Sequence, residues 1–276
     1  MADSAPGNST PNYTIGHGDD TSRRLSRRNL EKDAAYILSH LEPGMRVLDV
    51  GCGPGSISVG LAAAVAPGEF HGIDMSQSQI DVATSTAQEI GLSNAQFQVA
   101  DVMALPFPDD HFDVVHCSAV LMHIPDTQSA LSEILRVLRS GGIFGANEPA
   151  GVGFIEPVIR NMSRAADVFS AVLASNGGHP NIGKELKGMM FDAGFVDIEA
   201  TGMVESCCKP SDPGEPTLFD SLKEVFLGTI ISGRAVDLGI ATQAEFDQWN
   251  KDFLVWQDTP GAFAGVIYGQ IVGRKP

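Results

Sequence analysis

The sequence predicts a doubly wound α/β fold, in which seven strands form a mostly parallel sheet with helices on both faces. Between residues 46 and 147, short apolar runs alternate with amphipathic helical patterns. Strict alternation of strands and helices is typical of parallel sheets. Runs such as VLDV and FDVVHC are apolar, as expected for strands that are covered on both faces.

The elements follow one another in a regular order. Predicted strands lie at Arg46–Val50, Glu69–Ile73, Ala95–Val99, Phe112–Cys117, Gly142–Asn147, Phe195–Met203 and Ala262–Val272. Predicted helices between the early strands lie at Ser56–Ala66, Ser76–Glu89 and Thr127–Leu138. A further amphipathic helix is predicted to precede the first strand and to end near Glu42.

The alternation stops after Glu148, and the later part of the chain is mostly helical in pattern. We expect a single domain at 23–276, with insertions near 149–180 and 209–260 that form a helical cap over the active site. Residues 1–22 are rich in Ser, Thr, Gly, Pro and Asn, which predicts a flexible N-terminal arm.

Composition restricts the choice of partners. Eighteen Lys and Arg residues against 34 Asp and Glu residues give a net charge of -16, which disfavours nucleic acid. The basic residues Arg23, Arg24, Arg27 and Arg28 are interpreted as a solvated helix face that pairs with nearby acids, rather than as a binding site. No apolar stretch is long enough to cross a membrane, and a cytoplasmic location is expected.

The four cysteines lack the spacing of a metal site. Cys52, Cys117, Cys207 and Cys208 form no C-x-x-C pair, so no metal is predicted. The adjacent Cys207 and Cys208 bridge only in a strained ring, which favours free thiols in a reducing compartment.

A glycine-rich loop follows the first predicted strand and precedes a helix. Gly51, Gly53 and Gly55 allow a tight turn with no Cβ between the backbone and a ligand. A dinucleotide-binding loop requires a glycine at position 56, where this chain has Ser56. Asp49 also places negative charge beside the crevice, which suits a cationic ligand better than a diphosphate. A nicotinamide-dependent oxidoreductase is therefore disfavoured.

Acidic residues end three successive strands. Asp49, Asp74 and Asp101 are expected at the same edge of the sheet, where doubly wound folds bind ligands. Asp74 suits the two hydroxyls of a ribose, and Asp101 suits an exocyclic amine. The three acidic residues disfavour the alternative that the glycine loop is only a structural turn that binds no ligand.

With these motifs in order, the chain resembles the class I S-adenosylmethionine-dependent methyltransferases, over about residues 35–150. It is similar in particular to the small-molecule branch that includes the ubiquinone and menaquinone C-methyltransferases. The motifs that carry the resemblance are VLDVGCGPG, GIDMS, VADVMALPFPDDHFDVVHCSAVLMHIPD and LSEILRVLRSGGIF. The resemblance implies a Rossmann-like fold, S-adenosyl-L-methionine as cofactor and S-adenosyl-L-homocysteine as product.

The resemblance also implies roles at the methionine end of the cofactor. Gly51, Gly53 and Gly55 would pass under the methionine portion, with Asp49 near its ammonium group. Cys117, at the end of the fourth strand, would offer its backbone carbonyl to the same amine.

Further implied roles concern the adenosine end. Asp74 would bind the ribose hydroxyls, and Met75 would lie against the adenine. Asp101 would accept the adenine amino group, and Val102 would contact a ring nitrogen.

Catalysis by such an enzyme consists mainly of in-line positioning, with a base where the acceptor must lose a proton. His123 and Glu148 are the candidate catalytic residues because they lie just beyond the fourth strand and at the end of the fifth. A structural histidine is the alternative for His123. His116 is interpreted as a hydrogen-bonded core residue, and His17, which is a further candidate base, lies with Tyr13 in the arm that is expected to close over the cofactor.

The predicted function is transfer of a methyl group from S-adenosyl-L-methionine to a small, apolar or aromatic metabolite. The alternative is a cofactor-binding protein of this fold that acts as a cyclase or as a non-methylating module. Late apolar positions are expected in the core, in an acceptor pocket or in a homodimer interface: Met189, Met190, Phe191, Phe219, Phe226, Phe246, Trp249, Phe253 and Trp256.

Overall fold

The computed structural model describes residues 25–159, 161–207 and 218–276. Its seven strands form one sheet in the order β3-β2-β1-β4-β5-β7-β6. The strands are β1 (Val47–Val50), β2 (Phe70–Asp74), β3 (Ala95–Val99), β4 (Phe112–Ser118), β5 (Leu138–Glu156), β6 (Val196–Cys207) and β7 (Phe263–Arg274). Strands β1 to β5 are parallel, and β7 pairs antiparallel with both β5 and β6. The predicted fold class is confirmed.

Helices cover both faces of the sheet. They are α1 (Leu30–Asp33), α2 (Ser58–Val65), α3 (Gln77–Glu89), α4 (Thr127–Val137), α5 (Met162–Ser175), α6 (Leu186–Asp192), α7 (Leu218–Leu227), α8 (Thr229–Asp237) and α9 (Gln243–Gln257), with 3-10 helices at Ala35–His40, Val102–Ala104, Leu121–His123 and Ile182–Lys184. Among the described residues, no helix is both long and apolar enough to span a bilayer.

Two apolar cores lie on opposite faces of the sheet. The smaller core packs α1, the 3-10 helix at Ala35–His40 and α2 against residues such as Val47 and Val114. The larger core joins α4, α5 and the late helices to the other face, where Leu48 and Phe144 point. Successive residues of a strand face opposite sides, so central strands such as β1 and β4 contribute to both cores.

The strand order reverses between β1 and β4. Strand β1 pairs with β2 on one side and with β4 on the other, and the chain leaves these strands in opposite directions across the sheet. In doubly wound folds this reversal leaves a crevice at the carboxyl ends of the strands. The glycine loop after β1 and the turn after β4 both lie at this crevice.

The helix predicted before β1 is broken into two pieces. Asn29 caps α1, since its side chain accepts a hydrogen bond from the backbone N–H of Lys32. Asp33 is buried, and its carboxylate accepts hydrogen bonds from the backbone of Asn29 and from Arg28. Ala34 then leaves the helical conformation, with φ at -135°, so the continuous helix expected from the spacing was wrong.

The fifth strand is longer than the sequence predicts. It continues through Glu156, where we expected a cap insertion to begin at residue 149, and it pairs with β7 over most of this length. Its Gly and Pro residues conceal the alternation that identifies strands, and two irregularities follow Pro149 and Val152. Within the predicted insertion at 149–180, α5 supplies the helical part. Residues 1–22 and 209–217 lie outside the described residues.

Candidate active site

The glycine loop brings three elements close together. Gly51, Gly53 and Gly55 all have positive φ angles, at 67°, 53° and 84°, which side chains rarely adopt. A Cβ on Gly51 would lie 2.3 Å from Cγ2 of Val120, in the turn after β4. A Cβ on Gly55 would lie 3.0 Å from the Cβ of Ala83, in α3. Glycine is therefore required for the loop to pack against both neighbours.

Asp49 is buried between β4 and α2. One carboxylate oxygen accepts a hydrogen bond from the hydroxyl of Ser58 at 2.6 Å, and the other lies 2.8 Å from Nδ1 of His116. His116 is a fully buried, hydrogen-bonded residue, as the sequence analysis expected. The Asp49 carboxylate is therefore fixed by the protein on both of its oxygens.

Asp74 ties the end of β2 to the glycine loop. One carboxylate oxygen accepts a hydrogen bond from the backbone N–H of Gly53 at 3.0 Å, and the other accepts one from Ser76 at 2.9 Å. Each carboxylate oxygen retains a second lone pair that can accept a bond from a ligand. Asp74 is half-buried and lies on the wall of a cavity.

That cavity, which we call the glycine-loop cavity, has a volume of about 310 Å³. It lies between the loop, the end of β2 and the turn after β4. Predicted ligand-binding residues on its wall are Asp49, Gly51, Gly53, Asp74, Met75 and Val102. Met75 is 43% exposed on this wall, which leaves its side chain accessible to a ligand.

Three of the predicted ligand-binding residues do not line this cavity: Gly55, Asp101 and Cys117. The Asp101 carboxylate accepts a hydrogen bond from the backbone of Met103 and caps the 3-10 helix that follows. The Cys117 thiol is fully buried beside Glu148, and burial raises its pKa. Among the described residues, Cys52 and Cys117 are free thiols, and Cys208 lies outside that part of the chain.

Glu148 anchors the turn after β4. It is fully buried, and one of its carboxylate oxygens accepts hydrogen bonds from the backbone N–H groups of Val120 and Leu121, at 2.8 and 2.9 Å. The other oxygen accepts the N–H of Met122 at 3.3 Å. Burial raises the pKa of Glu148, although these three hydrogen bonds act to lower it.

The expected contact between Glu148 and an acceptor is not supported by this placement. Glu148 lines neither of the two cavities described here, because its carboxylate points into the turn rather than through it. Its position just after the predicted fifth strand did not distinguish these two directions. We interpret it as a residue that holds the site together.

A second cavity, the cap cavity, has a volume of about 320 Å³ and adjoins the first. Helices α5 and α7 supply an apolar wall that includes Phe169 and Phe226, and β7 contributes Tyr268. Residues shared by both cavities are Leu25, Arg28, Ala119 and His123. His123 therefore lies where the two cavities meet.

Most of the late apolar residues belong to the core. Phe226 lines the cap cavity, whereas Met190, Phe246, Trp249, Phe253 and Trp256 are buried without lining either cavity. Phe191 is 72% exposed on α6. The side chain of Phe219 lies outside the described part of the structure.

Arg28 is a site residue that the sequence analysis missed. It was interpreted as part of a solvated helix face, but it lines both cavities and contacts Ser118 at the end of β4. Burial lowers its pKa, but Tyr268, Asp33 and Glu205 outweigh this effect and leave its pKa above the usual value. No local signal distinguishes Arg28 from its three basic neighbours, since its partners are distant in sequence.

One group of potential metal ligands occurs in the described part of the chain, at the opposite edge of the sheet. Single ligand atoms of Glu69, His71 and His111 lie within 4.8 Å of one another. Nε2 of His71 is hydrogen-bonded to the carboxylate of Glu69 at 2.6 Å, and Nη1 of Arg46 lies 3.3 Å from Nδ1 of His111. None of these residues lines either cavity.

A family model described as a methyltransferase domain matches residues 41–187, which is more than half of the chain. The chain belongs to the methyltransferase domain family. The matched segment contains the glycine loop, Asp74, His123 and Glu148. It ends before the strands and helices that complete the cap cavity.

Individual relatives agree with this family. The chain is 32% identical over 178 residues to an uncharacterized methyltransferase of Schizosaccharomyces pombe, covering 61% of this chain and 63% of that protein. It is 32% identical over 189 residues to a demethylmenaquinone methyltransferase of a Geobacillus species, covering 63% and 80%. The match to the Schizosaccharomyces pombe protein thus spans less than two thirds of that relative's length.

Solved structures show the same fold. The crystal structure of the YcgJ protein from Bacillus subtilis superposes with a TM-score of 0.60 and 21% sequence identity, covering 88% of this chain and 97% of that one. At 21% identity, this similarity shows that the two proteins share a fold, and it carries no information about the substrate.

We expect Gly51→Ala to destabilise the protein more than Gly91→Ala. Both glycines have positive φ angles, which cost a side-chain-bearing residue about 1–2 kcal/mol. Only at Gly51 does the new Cβ overlap another side chain, that of Val120, which adds about 1–3 kcal/mol. Denaturant unfolding of the two variants measures the difference, and equal losses would contradict the proposed packing of the loop.

We expect the stabilising effect of Glu148 to depend on pH. Because its pKa is raised in the folded state, the unfolded state loses this proton first as the pH rises from about 4.5. The free energy of unfolding, relative to Glu148→Gln, should therefore fall as the pH rises above about 4.5, by about 1.4 kcal/mol for each unit by which the pKa is raised. Denaturant unfolding as a function of pH measures this, and a difference that rises with pH would show that the pKa is not raised.

Proposed function

We propose that this protein transfers a methyl group from S-adenosyl-L-methionine to a small, apolar or aromatic metabolite. The observation that carries the proposal is the pair of adjoining cavities, one lined by the glycine loop and Asp74 and the other by the apolar cap. Membership of the methyltransferase domain family supports the reaction class. The name of the Geobacillus relative, a demethylmenaquinone methyltransferase, supports a small-molecule acceptor.

The residues of the glycine-loop cavity fit the proposed cofactor. Gly51 and Gly53 present backbone without a Cβ to the cavity, which permits close approach of the methionine portion. Asp49 and Asp74 supply negative charge on the cavity wall, which favours a ligand that carries a sulfonium and an ammonium group. A ligand with a diphosphate would be repelled by the same two carboxylates.

Roles can be proposed for individual residues at the adenosine end. Asp74 accepts hydrogen bonds from the ribose hydroxyls, since its oxygens retain free lone pairs beside the cavity. Met75 and Val102 lie against the adenine from the same wall. The Asp101 carboxylate already caps a 3-10 helix, so its proposed contact with the adenine amino group depends on its remaining lone pairs.

The cofactor, when bound, supplies an activated methyl group on sulfur. The chain must then hold an acceptor in line with that methyl group and remove a proton where the acceptor carries one. His123 lies at the junction of the cavities, and we propose it as the group that receives this proton. The aromatic rings of Phe169 and Phe226 hold the apolar body of the acceptor.

The exclusion of nucleic acid, the cellular location and the oligomeric state are further proposals from the sequence. The net charge of -16 supports an acceptor other than nucleic acid. A cytoplasmic location and a homodimer rest on composition and on exposed apolar residues such as Phe191. Size-exclusion chromatography with light scattering tests the homodimer, and a monomeric mass would rule it out.

We expect Asp74→Asn to weaken cofactor binding about 10- to 100-fold, because hydrogen bonds to a charged group contribute about 1.5–3 kcal/mol. Calorimetric titration with S-adenosyl-L-methionine and S-adenosyl-L-homocysteine measures the effect, with NADH as a negative ligand. Asp81→Asn is the matched control, since Asp81 is exposed on α3 and its carboxylate accepts a hydrogen bond from Gln77 on the same helix. Binding of neither sulfur ligand to the folded wild type would refute the proposed function.

We expect His123→Gln to lower the rate of methyl transfer more than it lowers cofactor affinity. The measurement is formation of S-adenosyl-L-homocysteine against a panel of small phenols, enols and amines, followed as a function of pH. Loss of the acidic limb of the pH profile in the variant indicates a base. His40→Gln is the control, because His40 lines neither cavity.

The same assay separates methyl transfer from the alternative function. A cyclase or a non-methylating module binds the cofactor without forming S-adenosyl-L-homocysteine. A rate in His123→Gln equal to that of the wild type, with an unchanged pH profile, would assign His123 a structural role.

A further inference from the structure

The cap cavity gathers positive charge in an acidic chain. Among the described residues that line it, basic side chains outnumber acidic ones: Arg27, Arg28, Lys32 and Lys184, against Asp33, Asp167 and Glu205. This excess is opposite in sign to the net charge of -16. A cavity whose wall collects cations favours an occupant that carries negative charge.

Most of these charges are paired within the protein. Asp33 accepts a hydrogen bond from Nε of Arg28 at 3.4 Å. Nζ of Lys32 and Nη2 of Arg27 lie 3.0 and 3.9 Å from the same carboxylate oxygen of Glu205. Two cations therefore share one carboxylate, and these contacts occupy both Asp33 and Glu205.

Lys184 is the basic residue of this wall that the protein leaves available. Within the described part of the chain, its ammonium forms no ion pair and no hydrogen bond. The remaining acid of the wall, Asp167, is exposed on α5 and does not pair with it. Lys184 is also exposed, and it lines the cap cavity but not the glycine-loop cavity.

The backbone that carries Lys184 is held tightly between two strands. The 3-10 helix at Ile182–Lys184 packs against β5 and β7, and Ile182 is fully buried. A Cβ on Gly183 would lie 2.3 Å from the backbone oxygen of Glu148, and a Cβ on Gly269 would lie 2.2 Å from the backbone oxygen of Gly183. Because these contacts fix the backbone, Lys184 extends from a rigid base.

The space beside the ammonium is left open by a glycine. A Cβ on Gly151 of β5 would lie 3.4 Å from Nζ of Lys184 and 3.0 Å from Oδ1 of Asn181. Gly151 and Asn181 both line the cap cavity, as do the aromatic rings of Phe169 and Phe226. The cavity therefore offers an apolar wall together with one unpaired cation.

We infer that the cap cavity binds an apolar molecule that carries one anionic group of the carboxylate type, and that Lys184 pairs with this group. This inference rests on the proposed function, because it takes the methyl acceptor as the occupant of the cap cavity. It narrows the acceptor to apolar or aromatic organic acids. His123 lines both cavities and Lys184 the cap cavity alone, so the anionic end of the acceptor lies away from the cofactor.

The test compares two fluorescent probes that share an apolar body and differ in charge. 8-Anilinonaphthalene-1-sulfonate carries one anionic group, and N-phenyl-1-naphthylamine lacks it. We expect Lys184→Met to weaken binding of the sulfonate about three- to tenfold and to leave the neutral probe within about twofold of the wild type, because the ammonium donates charge-assisted hydrogen bonds to anionic oxygens. Asp167→Asn, which removes the opposite charge from the same wall, should tighten sulfonate binding.

Lys187→Met is the matched control. Lys187 is also an exposed lysine, three residues further along the chain on α6, but it lines neither cavity and lies beside the exposed Phe191 in a surface groove. Its loss should change neither affinity by more than about twofold. An equal loss of sulfonate binding in Lys187→Met and Lys184→Met, or an unchanged affinity in Lys184→Met, would overturn the inference, as would binding of neither probe to the wild type.

An acceptor assay separates this inference from the proposed function. Formation of S-adenosyl-L-homocysteine is measured with pairs of phenols that carry either a carboxylate or the corresponding carboxamide. We expect Lys184→Met to raise the KM for the carboxylates at least about threefold and to leave that for the carboxamides unchanged. Equal efficiency with both members of each pair, in both proteins, would refute the anion contact and leave methyl transfer intact. If the wild type binds no S-adenosyl-L-homocysteine while Lys184→Met still weakens the sulfonate selectively, the proposed function fails and the anion site is confirmed.

Discussion

The buried carboxylate of Glu148 is the interaction on which both cavities depend. It accepts the backbone N–H groups of Val120, Leu121 and Met122, which have no partner within the short turn that follows β4. An unpaired N–H in this dry position would cost about 1–3 kcal/mol, so the three bonds offset much of the cost of burying the charge. The turn that Glu148 holds supplies Ala119 and His123 to both cavities and Val120 to the packing of Gly51. Moving this turn would move the glycine loop as well.

The opposite face of the same strands carries the other polar contacts of the site. Asp49 and His116 are paired in register between β1 and β4, and Ser118 and Asn147 are paired between β4 and β5. Nearer the amino ends of these strands, Val47 and Val114 face the smaller apolar core. The sheet face therefore changes from apolar to polar toward the carboxyl edge. The segment before β1 covers this polar end and brings Arg28 to Ser118, so a buried polar layer separates the core from the site.

Much of the sheet could be predicted from the sequence, because parallel strands buried on both faces give short apolar runs and because glycines mark the turn. The strand at Ala95–Val99 was predicted at its observed limits. The direction of the Glu148 side chain could not be predicted, since it depends on a turn some 26–28 residues away in sequence. Arg28 was misassigned for the same reason. Its neighbours in sequence are basic and form a pattern that is typical of a solvent-exposed surface, whereas its partner Ser118 lies 90 residues away.

The two cavities differ in which parts of the chain build them, and this difference has a consequence for specificity. The glycine-loop cavity is lined mainly by residues 49–125, within the segment that matches the methyltransferase domain family. The cap cavity draws on the segment before α1, on β5 beyond Glu148, on α5 and α7 and on Tyr268 of β7. Strand β5 continues past its predicted end and pairs with β7, which brings these two strands together at the cap cavity. A change in the cap can therefore alter the acceptor without disturbing the turn that Glu148 holds, whereas a change at Arg28 affects both cavities because it belongs to both walls.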